Sequence, residues 1–229
     1  MQFLDVFRAM VLALRAPWRV ADFVDRRATT FFAVAVLSVT AVNVVATLNT
    51  QADARLSAEA ALLTPKPEGD NAVDLRQSGR HVTAILGGAV FTTSMSIIVL
   101  AGLMMVVGRF LTDKPYRYGH AVIVTSGASA IVILRVAIET GLQLATHSVR
   151  WGPHLGIVVD PATSPHMFAA LQRVDVFTLW EYLVIAIGLV RTQGLHARFG
   201  YIVGLVVWLL MIILFGGATT VAYVLSRAS

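Results

Sequence analysis

Apolar residues gather along this chain into five long runs, Thr29 to Leu48, Val82 to Val107, Gly119 to Thr146, Val174 to Val190 and Phe199 to Leu225, separated by shorter polar stretches. A hydrocarbon core about 30 Å thick takes roughly 20 helical residues to cross, so each run has about the length of a transmembrane span. Ser96 to Val107 is apolar in every direction, whereas a membrane barrel strand alternates polar and apolar positions over about ten residues. The pattern predicts an all-α polytopic membrane protein, a five-helix transmembrane bundle occupying residues 29–229. An odd number of crossings puts the two termini on opposite sides of the bilayer.

Residues 1–28 follow another rhythm. Phe3, Leu4, Phe7, Met10, Val11 and Leu14 recur at helical spacing among charged residues, and Pro17 interrupts the run. This predicts an amphipathic N-terminal arm of two short helices hinged at Pro17. Two placements fit: the arm lies in the interface with its apolar face in lipid, or it packs against the inner ends of the spans. Charges recur too often for the apolar core of a cleaved signal.

Composition agrees. The chain is 57% hydrophobic and 14% charged, against about a quarter charged in soluble domains. It has no cysteine, which removes disulfides, thiolate metal sites and cysteine nucleophiles. The net charge of +5 is spread over the span ends rather than gathered into a patch with aromatics, so lipid headgroups, not nucleic acid, are the expected anionic partners. With the N-terminus inside, Arg8, Arg15, Arg19, Arg26, Arg27, Arg109, Lys114, Arg117, Arg191 and Arg198 lie on the inner side. Arg55, Lys66, Arg76, Arg80, Arg150, Arg173 and Arg227 lie outside, four of them spread over one long loop. The denser inner set predicts a cytoplasmic N-terminus and an outer C-terminus. Of the connectors, Asn49 to His81 reads as a turn at Thr64 to Asn71 flanked by short helices, and His147 to Gln172 as irregular, with Trp151-Gly152-Pro153 and Asp160-Pro161.

Ionisable and amide side chains inside spans are costly and are the first candidates for function. They are Asn43, Arg135, Glu139 and Glu181. At about 1.5 Å of rise per residue, Arg135 lies about 24 Å across the third run, Glu139 near its outer boundary, Glu181 about 10 Å in from the outside and Asn43 about 21 Å along the first run. All four fall in one outer layer. Arg135 and Glu139 are four apart and can pair, and Arg135 is expected to reach Glu181 as well. Such a cluster fixes helix packing, lines a water-filled notch, or forms a proton or substrate path. Close helix contacts are expected at Gly200-x-x-x-Gly204, Gly87-Gly88, Ser126 to Ala130 and Gly216-Gly217, because small residues let backbones approach in lipid. For Gly200 and Gly204 an internal contact is expected in preference to a dimer interface.

His147, His154 and His166 share a connector with Asp160 but lack the close ligand pairing of zinc sites. They are expected to be solvated, with no metal. Phosphate-loop, dinucleotide, His-Glu-x-x-His and nucleophile-elbow patterns are absent, so neither an enzyme nor a cofactor is expected.

Arg173 to Trp180, continuing through Glu181-Tyr182-Leu183 to Gly188-Leu189, resembles the Asp-x-Phe-x-x-Trp then Gly-Leu pattern that opens the fourth span of the YIP-domain (Ypt-interacting protein) family. The basic arm with Leu14-Arg15-Ala16-Pro17, the second run ending at Gly108-Arg109 and the Arg191 to Arg198 link are similar to its bacterial branch. The resemblance implies a five-span protein of the bacterial inner membrane, acting without chemistry of its own through helix contacts with other membrane proteins or by organising the membrane; an export complex is a further candidate partner. Asp175, Phe177, Trp180 and Gly188 are the residues that carry it, with Asp175 as helix cap. Ser126-Gly127 stands where family members often have Pro, and the Asp-Leu-Tyr-Gly-Pro motif of the eukaryotic branch is absent, so binding of Rab-type GTPases is not expected. The alternative function is a transport component, an accessory subunit of an exporter or a small carrier, using the outer charges.

Overall fold

The computed structural model describes residues 2–63, 80–113, 115–172 and 174–228, without the side chains of 2, 3, 61–63, 80–84, 112, 165, 166 and 214–228. Its elements are helices: α1 (Gln2–Arg15), α2 (Ala28–Ala52), α3 (Ala54–Leu63), α4 (Arg80–Thr112), α5 (Tyr118–Thr146), α6 (Pro165–Leu171), α7 (Val176–Arg191) and α8 (Ala197–Ala228), with 3-10 turns at Pro17–Phe23 and Leu155–Val158. The protein is an all-α membrane protein. Three helices, Ala28–Ala52, Ile85–Leu111 within α4, and Tyr118–Thr146, are long and apolar enough to cross a bilayer. The 16 residues of α7 rise only about 24 Å, short of a core about 30 Å thick. The expected turn at Thr64 to Asn71, with Lys66, Lys114 and Arg173, lies outside the described residues.

At the centre is α5, whose residues Ala121 to Ile131 are all buried. Against it pack α2 on one side and α7, itself paired with α8, on the other. Val124, Ala128 and Ile131 of α5 share a core with Ile185 and Leu189 of α7, Val203 and Val207 of α8, and Met104 of α4. Helices gain little from apolar burial in lipid, so close approach decides these contacts. A Cβ on Gly188 would lie 2.6 Å from Val124 Cγ1, one on Gly200 would lie 2.5 Å from Ile187 Cα, and one on Gly204 would lie 2.9 Å from Leu183 Cα. Gly200 and Gly204 therefore form an internal α7–α8 seam. Gly87 and Gly88, expected to do the same, have nothing within 4 Å among the described residues. Spacing marks a small-residue face but not what lies opposite it.

The arm hinges at Pro17 as expected, and it is inserted into the bundle rather than laid on it. Val6, Ala9, Met10 and Ala13 of α1 are buried, in part against Phe31, Val34, Ile123 and Ala130. Val20 reaches Gly127, where a Cβ would sit 2.9 Å from Val20 Cγ1, about 14 Å along α5 from Tyr118. Asp5 pairs with Arg26 at 3.4 Å. Met10, grouped by periodicity with Leu4, Phe7 and Val11, is in the core, while those three remain exposed. The arm thus has two apolar faces and closes the Tyr118 end of the bundle.

Candidate functional site

Towards the Thr146 end a cavity lies between the helices. Asp175 ends the preceding connector and caps α7, one carboxylate oxygen accepting the Phe177 N–H at 2.7 Å, an interaction typically worth about 1 kcal/mol. Its other oxygen accepts from Thr178 Oγ1 at 2.7 Å and from Arg135 Nη1 at 3.1 Å. Arg135 Nη1 also donates to Thr178 Oγ1 at 3.0 Å. The closed triangle pins α5 to the start of α7, with the Asp175 side chain only 5% exposed.

This corrects the expected pairing. The guanidinium makes its ion pair within 4 Å with Asp175, not with Glu139 or Glu181. Glu139 accepts from Gln143 Nε2 at 3.4 Å. Its Oε1 lies 3.9 Å from His154 Nε2. Glu181 makes no ion pair within 4 Å among the described residues, yet it belongs to the same site. Arg135, Glu139, Asp175, Thr178 and Glu181 line one cavity of about 690 Å³, closed on its other sides by Ser96 and Phe91 of α4, Trp208 and Met211 of α8, and Gln172 and His154. Asn43 is not there: its amide donates to the Val39 carbonyl of its own helix at 3.0 Å. Equal depth placed it in the same layer, but it does not line the cavity. Of the residues carrying the family likeness, Phe177 and Trp180 face each other at 6.2 Å between ring centroids, and Gly188 lies in the α5 contact described above.

The connector after α5 forms a small cap over this end. Asp53 accepts the N–H groups of Arg55 and Leu56, capping α3, and its second oxygen meets His147 Nδ1. That hydrogen bond holds the Asp53 carboxyl below the usual carboxylate value. Glu59 accepts from Ser148 Oγ at 3.0 Å and the Val149 N–H at 2.9 Å, and Leu56, Val149 and Phe168 form a minor core.

His154 is not solvated. Its side chain is 3% exposed, edge-on to Phe168, and pressed between two glycines, since a Cβ on Gly152 would lie 2.5 Å from Nε2 and one on Gly156 2.8 Å from Nδ1. Its backbone bridges Asp175, with the Leu155 N–H donating to the Val174 carbonyl at 3.0 Å. Burial pushes the imidazole below its ordinary value, Asp175 opposing in part. Neither ring nitrogen has a hydrogen-bond partner among the described residues. Glycines two residues to either side were the available signal for a buried ring. Among the described residues no group of three or more acidic or His side chains could hold a metal, and the His166 side chain lies outside them. No family model matches the chain, and no curated protein or solved structure matches it.

Proposed function

We propose that this chain is a membrane transport component that binds its solute in the cavity between α4, α5, α7 and α8. One observation carries this: a space of about 690 Å³ whose wall holds Arg135, Glu139 and Glu181. Ionisable groups within spans are costly and mark substrate or ion pathways, and charges that only fixed helix packing would be enclosed by packed side chains. In this reading α7 and α8 supply the fourth and fifth crossings of a bacterial inner membrane. The arm end faces the cytoplasm and the cavity opens outward.

A chain without native cysteine offers a direct test. Ser96→Cys on the cavity wall should react with a membrane-impermeant thiol reagent added from the outer side, while Ile213→Cys, exposed on the lipid-facing surface, should not. A Ser96→Cys variant that no aqueous reagent reaches sinks the proposal.

The second reading is the YIP-family one, a scaffold working through helix contacts. It is favoured by the Asp175 cap and the Gly188 contact, which give structural roles to two residues that carry the likeness, and by Phe91, Val106 and Phe110 of α4, exposed by 64%, 45% and 85%. It expects a stoichiometric membrane partner to co-purify in mild detergent and to cover α4.

A further inference from the structure

We infer that the solute of this cavity is an organic cation, held by the Glu139 and Glu181 carboxylates. The inference rests on the transport reading and adds its chemical class. Among the described lining residues Arg135 is the sole full positive charge, and it is committed to Asp175 at 3.1 Å with Thr178 completing the triangle. Among the described residues Glu139 and Glu181 are left without an Arg or Lys partner within 4 Å. The nearest candidate, His154 at 3.9 Å from Glu139, has its charged form disfavoured by burial, and its two ring nitrogens are enclosed against Gly152 and Gly156. The described wall thus holds more carboxylate than it balances, in surroundings where an isolated charge is expensive, and a bound cation supplies what is missing.

The rest of the wall selects the kind of cation. A volume of about 690 Å³ lies within the roughly 300–1,000 Å³ of small-molecule sites and far exceeds what a bare ion fills. Phe91, Tyr182 and Trp208 contribute aromatic rings, the surfaces on which ammonium groups are stabilised by ring quadrupoles. An anion would meet the carboxylates with no unpaired guanidinium among the described lining residues to offset them.

The test uses the full chain in sealed vesicles, with cysteine at Ser96 or, should that variant not fold, at Thr92. Labelling rates are measured for a cationic and an anionic impermeant methanethiosulfonate of similar size, each normalised to its rate on a free thiol. The cationic reagent is expected to be faster by on the order of tenfold, as charge-lined clefts accelerate counter-ion entry. Tetraethylammonium should slow labelling and benzenesulfonate should not, and Glu139→Gln with Glu181→Gln should remove both the preference and the protection. A labelled cysteine showing equal rates, anion preference or protection by benzenesulfonate overturns the inference alone. A cysteine that neither reagent reaches overturns the open cavity and the inference with it.

Discussion

Asp175 does two things through its two carboxylate oxygens, and only one could be foreseen. An acidic residue directly before an apolar helical run reads as an N-cap, and the Phe177 N–H confirms it at 2.7 Å. The ion pair to Arg135 joins residues 40 apart in sequence, which no local spacing rule reaches; the i, i+4 rule pointed to Glu139 instead. Arg135→Gln should cost about 3–5 kcal/mol, because it strands a buried carboxylate. The double variant with Asp175→Asn, which keeps the cap, should recover part of that loss. A double-mutant cycle measured by unfolding in mixed micelles should give a coupling of about 0.5–3 kcal/mol, and strict additivity would remove the triangle from any role in stability. His154 supplies a second test. Its imidazole is held neutral in the folded chain, facing Glu139 of α5 and Asp175 and Arg135 beyond it, and regains its ordinary value of about 6.5 on unfolding. Between those values the unfolded chain binds the extra proton, so stability falls as pH drops through 6.5 towards the lowered folded value. His154→Phe should flatten that part of the stability profile relative to the parent chain, while an unchanged slope would assign it to other groups.

Among the helices, the apolar runs gave existence and type, and packing set the ends and the faces. The fourth run begins at Val174, but α7 starts at Val176 because Asp175 turns its side chain back to cap it. The Gly200 and Gly204 seam was legible as a small-residue face, whereas the same reasoning misplaced Gly87 and Gly88, since sequence shows which side of a helix is small and not whether a neighbour comes near. The difference is measurable. At Gly200 an added methyl meets backbone, the Ile187 Cα, at 2.5 Å, and backbone cannot rotate away as a side-chain tip can. Gly200→Ala should therefore destabilise the protein by about 1–3 kcal/mol through overpacking. At Gly87, with nothing within 4 Å among the described residues, the same change should be neutral or stabilise by up to about 1 kcal/mol, the helix-propensity difference between the two residues. Equal losses at both sites, in the same mixed-micelle titration, would mean that the α7–α8 seam does not depend on close approach.

Among the described residues, the arm fills one end of the molecule and a cavity lies towards the other, and the two halves of that asymmetry were unequally visible. The amphipathic rhythm of residues 1–28 announced an arm, and Ser126 to Ala130 announced a place on α5 where something comes close, but nothing in either segment says that they meet. Val20 against Gly127 makes that join, and it lets polar backbone lie at depth because protein surrounds it. The same surroundings bear on α7, the element on which the five-crossing thread depends. Tyr182 and Val184 to Val190 are buried, so α7 meets neighbours more than lipid there and can traverse without matching the full hydrocarbon thickness. If it does, Gln2→Cys must be labelled from one face of a sealed vesicle, and Ser57→Cys, just after α2, together with Ser229→Cys from the other. If α7 instead enters and returns on the same side, Ser229 changes sides and joins Gln2 while Ser57 stays where it was. Labelling of Gln2→Cys and Ser229→Cys from one face, with Ser57→Cys from the opposite one, would leave the bundle with an even number of crossings and move the α7 cap and its Arg135 pair out of the fourth span.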